Sequence, residues 1–114
     1  MAAKQPAALP IAQWCKLITF SKSKVVPGFV PNTWFLIVSG TKPCANMEVS
    51  LNPRIYIQKP QYWGIEVVGC LPGGICLTMV VPYSVHIPLQ GILGTKGIEV
   101  IGSNKKKKHR VPPA

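Results

Sequence analysis

Twelve prolines and ten glycines are spread through 114 residues, and their placement constrains the fold more than any other feature. Proline removes a backbone donor and breaks a helix from within, while glycine weakens regular structure and collects at turns. What remains between them is a series of short apolar or alternating runs. Nowhere does an apolar period of 3.6 persist for a dozen residues, so long amphipathic helices are excluded. Short strands bounded by turn residues predict an all-β domain: a small antiparallel sandwich of seven or eight strands, with a small barrel as the alternative. A chain of this length has room for one core. Hydrophobic residues make up 47% of it and charged residues 14%, which is too apolar for a disordered protein.

The first strand signal runs from Gln13 to Phe20, where Trp14, Ile18 and Phe20 alternate with Cys15, Leu17 and Thr19. Ser21 to Asn32 reads as a loop, with Pro27-Gly28 and Pro31-Asn32 as turn dipeptides. Trp34 to Val38 is a continuous apolar run, expected to be a buried strand ended by Ser39 to Pro43. Alternation is cleanest from Met47, with Met47, Val49 and Leu51 on one face and Glu48 and Ser50 on the other. Arg54 to Gln58 resumes it with Ile55 and Ile57. Trp63 to Cys70 and Ile75 to Val81 are expected to form a hairpin about Pro72-Gly73-Gly74. Ser84 to Leu89 and Gly97 to Gly102 complete the set. Gly64-Ile65-Glu66-Val67-Val68-Gly69 returns 33 residues later as Gly97-Ile98-Glu99-Val100-Ile101-Gly102, with Met47-Glu48-Val49 as a weaker third copy. Two strands doing the same job explain that echo better than a duplicated unit.

Thirteen basic and three acidic residues give a net charge of +10, unevenly distributed. Lys105, Lys106, Lys107, Lys108 and Arg110 crowd into the last ten residues. The expected organisation is a flexible segment over 1–12, a single β domain over 13–103 and a disordered basic tail over 104–114. Deleting the tail is then expected to leave thermal stability nearly unchanged. These five cations are the candidates for polyanion contact, with weak and salt-sensitive binding. The alternative is a solvated tail that keeps an apolar domain soluble.

No secretory leader is recognisable in Ala2 to Ile11, and no run approaches the roughly 18 apolar residues that cross a bilayer. A soluble cytoplasmic protein, nuclear if the source is eukaryotic, is the expectation, with no membrane contact. Cys15, Cys44, Cys70 and Cys76 match no zinc spacing. In a reducing compartment they are expected to be free thiols. A bridge, if one forms, would join Cys70 to Cys76 across the glycine turn.

Catalytic chemistry finds little to work with. The chain has no aspartate, so a Ser-His-Asp triad is excluded. Glu48, Glu66, Glu99, His86 and His109 are the only candidate acids and bases, and His109 falls in the expected tail. The glutamates read as solvated strand residues facing cations across a sheet, rather than as a cation site. His86, Cys70, Cys76 and Met79 make an incomplete copper set, because a second histidine is lacking inside the expected domain. Leu71-Pro72-Gly73-Gly74 lacks the Lys and Ser/Thr of a phosphate loop. No enzyme, cofactor or metal is expected.

The hairpin offers more. With Ile65, Val67, Leu77, Met79 and Val81 inward, parity turns Val68, Cys70, Cys76 and Val80 outward onto an unusually apolar sheet face. These four are the interface candidates. The leading expectation is a non-enzymatic interaction module that self-associates or binds a protein partner through that face. The alternative is a small nucleic-acid-binding protein that uses its lysine tail nonspecifically. Val68→Lys is expected to weaken association and spare folding.

Overall fold

Strict alternation at residues 47–51 needs one wet and one dry face, and the computed structural model, which describes residues 14–112, provides them. Met47 and Leu51 are buried and Glu48 and Ser50 exposed along β4 (Glu48–Pro53). The other strands are β1 (Cys15–Leu17), β2 (Lys22–Pro27), β3 (Trp34–Cys44), β5 (Tyr62–Cys70), β6 (Thr78–Pro88), β7 (Gly97–Ile101) and β8 (Lys106–Arg110). They form an all-β sandwich of two sheets with no closed barrel. Among the described residues the only helical piece is a 3-10 turn at Pro72–Gly74, and no helix is long and apolar enough to cross a membrane. The expected flexible segment 1–12 lies outside the described residues.

β5 organises the larger sheet. It pairs antiparallel with β4 along one edge, and along the other antiparallel with β1 and then parallel with β7, beyond which β8 closes the sheet. The smaller sheet is β2-β3-β6, antiparallel throughout. Ile65, Val67, Ile98 and Val100 from one sheet meet Leu36, Val38 and Tyr83 from the other in a shared core. Burial raises the pKa of the Tyr83 phenol, whose hydroxyl donates to the Thr19 carbonyl at 2.7 Å.

The repeated hexapeptides lie side by side. β5 and β7 pair in parallel, the exception to an antiparallel fold, with Gly64 opposite Glu99 and Ile65 opposite Val100. The offset from hexapeptide alignment is two residues, so parity is kept and both copies turn Ile and Val to the core. A parallel pair needs a long connection, and here it passes through β6 in the other sheet.

The expected β5–β6 hairpin does not form. β5 has no partner in β6; the chain leaves one sheet at Cys70 and enters the other at Thr78. Its tight turn uses Gly73 and Gly74 at φ of 71° and 75°, a conformation costly for other residues. The runs 75–81 and 84–89 are mostly one strand, beginning only at Thr78. β3 likewise runs on through Ser39–Pro43. β2 replaces an expected loop, since Ser23 and Val25 alternate with Lys22 and Lys24 across β3. Arg54 to Gln58 is not a strand, and Ile55 and Ile57 are exposed there.

The largest departure is at the C-terminus. Lys106–Arg110 is not a disordered tail but an edge strand in register with β7. Val111 behind it is 2% exposed, and its N–H donates to the Lys96 carbonyl. Asn104 anchors the entry, accepting from the Phe20 N–H and donating to the Phe20 carbonyl. An edge strand can be this basic because its lysines reach water. The Lys108 ammonium lies 5.0 Å from the Tyr62 ring centroid and that of Lys105 lies 5.1 Å from Phe20. Gly97 lets the pair close, because a side chain there would run into the His109 carbonyl oxygen.

Candidate interaction surfaces

Four cysteines meet in pairs that sequence spacing did not reveal. Cys15 bonds Cys70, and Cys44 bonds Cys76, so the described residues hold no free thiol. Cys15 and Cys70 are direct antiparallel neighbours on β1 and β5. Cys44 ends β3, and Cys76 sits in the crossover that returns beside it. The expected free thiols and the Cys70–Cys76 bridge are therefore both replaced. So is the copper set, since a disulfide sulfur is not a thiolate ligand.

Of the interface candidates, Val68 is misplaced in solvent terms. It is 9% exposed, because β1 and β4 flank β5 at that level, with Leu17 and Ser50 as its cross-strand neighbours. A central strand hides a side chain even on its outer face. Cys70, half-buried, is tied up on the same face. Cys76 is exposed as expected but bonded to Cys44, and Val80 stays open at 72% exposure.

Val80 belongs to a surface larger than expected. Ile75, Leu77 and Met79 are exposed with it, although Leu77 and Met79 were expected to face inward. The register explains the strand portion. Lys42 faces Val81 and Cys44 faces Thr78, so Met79 and Val80 together oppose Pro43 alone. That is a β-bulge opposite a residue without an N–H, and it breaks the alternation expected of an unbroken strand. The crossover portion is held by Asn46, whose side chain donates to the Ile75 carbonyl at 2.6 Å and accepts from the Leu77 N–H at 3.0 Å. The Leu77 carbonyl accepts from the Ala45 N–H, and Cys76 is bonded to Cys44. Trp14, also exposed, lies against Gly74 at the start of this stretch. The protein thus carries an exposed hydrophobic patch on backbone that is fixed at both ends.

The glutamates share one face of the larger sheet, as parity implies, and Glu66 is ion-paired there. Arg54 Nε donates to Glu66 Oε2 at 3.0 Å, which raises the Arg54 pKa, and Glu99 sits opposite Lys108. No group of three His, Cys, Asp or Glu among the described residues could hold a metal ion. His86 is exposed on β6, whereas His109 is half-buried against Ser23 Oγ at 2.7 Å from its Nε2. Burial, and then Lys107, lower the His109 pKa.

The polyanion candidates Lys105, Lys106, Lys107, Lys108 and Arg110 come out as a fixed array instead of a flexible tail. Lys106, Lys108 and Arg110 fall on one face of β8 and Lys107 on the other. Lys105 and Lys107 line a groove of about 420 Å³ together with Lys22 and Lys24 of β2, a segment whose composition is that of a loop. No family model, curated protein or solved structure matches the chain.

Proposed function

We propose that this protein is a non-enzymatic interaction module that self-associates through the apolar surface formed by Ile75, Leu77, Met79 and Val80. One observation carries the reading: four large apolar side chains are exposed on a segment that a disulfide and the Asn46 amide hold in place. A flexible apolar segment would lose much of its binding energy to ordering, and a fixed one does not. Each such side chain, once buried, contributes about 1.5–3 kcal/mol. β6 is also an edge strand of its sheet, so two copies can meet edge to edge through the same patch.

Two disulfides further favour an oxidising compartment over the cytoplasm for this module.

Sedimentation of the wild type and of Leu77→Lys at matched concentration, in about 0.3 M salt to screen the lysines, tests the proposal. The wild type should form a dimer or larger species, and the variant should remain folded and shift to monomer by at least tenfold in dissociation constant. Val68→Lys, by contrast, should now unfold the domain, since it places a charge at a buried site. A monomeric wild type would overturn self-association.

A further inference from the structure

The groove beside β2 collects four lysines from segments about eighty residues apart in sequence. Lys22 and Lys24 come from β2, and Lys105 and Lys107 from β8 and the turn before it. Ser21, Ser23 and Ser39 add hydroxyls, with Phe20 and Ile37 as apolar walls. No carboxylate lines it. The three glutamates sit on the outer face of the larger sheet, on β4, β5 and β7, the face opposite to the one Lys107 occupies on β8. Like charges brought together without a counter-charge repel, and the fold places them so although acidic residues are available elsewhere.

Solubility alone would be served by lysines spread along an edge strand. Convergence of two strands on one concave site is a different arrangement. Lysine ammonium groups and serine hydroxyls are donors suited to phosphate oxygens. Residues two apart on a strand recur every ~6.7 Å, so Lys22 and Lys24 stand in line on β2, with Lys105 and Lys107 on the other side of the groove. A ligand with a single charge would leave most of them unused. No exposed aromatic lines the groove to stack a base, because Phe20 is buried.

We propose that this groove binds an oligophosphate, a ligand carrying at least two neighbouring phosphate groups, read through its charge and oxygens. Free oligophosphate and a single-stranded nucleic-acid backbone share that chemistry. The site is separate from the apolar surface at Ile75 to Val80, and neither proposal depends on the other.

The test is titration of the full-length protein with inorganic tripolyphosphate, followed by amide chemical shifts, with sodium sulfate at equal ionic strength as control. Shifts should concentrate at Ser21 to Lys24, Ser39 and Lys105 to Lys107. Lys24→Ala with Lys107→Ala should raise the dissociation constant at least tenfold, while Lys16→Ala with Lys59→Ala should change it less than twofold. Lys24→Ala alone, which leaves every residue of β8 in place, should reproduce part of the loss and guards against a loosened edge strand. Displacement of tripolyphosphate by octathymidylate would assign the site to nucleic-acid backbones; no displacement would assign it to free oligophosphate. Equal losses in both lysine pairs, or shifts matched by sulfate, would overturn the proposal.

Discussion

Reducing both disulfides should lower the melting temperature by tens of degrees, and in a weakly stable background should unfold the domain at room temperature. The bridges span sequence separations of 55 and 32 residues. Closing loops of that length removes unfolded-state entropy worth about 3–5 kcal/mol each in the chain-entropy account. The loops overlap, so the sum is less than additive. Even one bridge is a large share of the roughly 5–15 kcal/mol that holds a domain of this kind together. At about 4–8 °C per kcal/mol, losing one corresponds to a fall of roughly 12–40 °C. Thermal denaturation with and without reductant measures this. A shift of only a few degrees would mean that the bridges close loops already ordered in the unfolded chain. Cys44→Ser with Cys76→Ser should also loosen residues 75–80 and weaken association, whereas Cys15→Ser with Cys70→Ser should act on stability alone.

Truncation after Ser103 is the second large effect, and its direction is opposite to the one composition suggests. It removes β8, uncovers the edge of β7 and exposes the space that Val111 fills. Val111 burial contributes about 1.5–3 kcal/mol. The two Asn104 hydrogen bonds and the Ser23–His109 contact add about 1 kcal/mol each. A loss on the order of 4.5–6 kcal/mol should follow, read as a fall of at least roughly 18 °C in melting temperature. A truncated protein that melts with the full-length one would show that Lys106–Arg110 does not belong to the fold. Removing only Pro113 and Ala114 is the matched control.

What the residues disclose and what they conceal divide along physical lines. Local alternation is legible: Met47, Val49 and Leu51 turn inward as expected, as do Val85, Ile87 and Leu89, with Glu48 and His86 opposite. The hexapeptide echo also reads correctly as two strands with the same job, but that they pair in one sheet comes from the structure. Pairing is not legible, because it is decided by contacts distant in sequence. Pro72-Gly73-Gly74 carries the composition of a hairpin loop, yet the chain uses it to change sheets. The bulge at Met79 and Val80 depends on Pro43 in another strand, so parity on β6 alone misassigns Met79. Cysteine partners depend on the same long-range register, which is why neither bridge could be read from spacing.

The basic terminus misleads for a different reason. Four successive lysines have the composition of a solvated tail, but His109 and Val111 follow them. Those two residues, one against Ser23 and one in the core, bring the strand back onto β7. An alternating Lys22-Ser23-Lys24-Val25 was likewise hidden by loop-like residues, and with it went half of the basic groove. The candidate apolar surface was half visible: Val80 was identified and Val68 was not an exposed site. Strand parity can tell the two faces of a sheet apart, but not whether neighbouring strands cover the outer one.

Hydrogen exchange of the backbone amides at low and high protein concentration decides whether residues 75–81 form a contact between copies, because it locates the contact as well as detecting it. Self-association through the stapled apolar surface predicts added protection at high concentration over residues 75–81, with the groove segments 21–24 and 105–107 unchanged. Exchange at 75–81 that is independent of concentration, or protection that appears elsewhere, would contradict it.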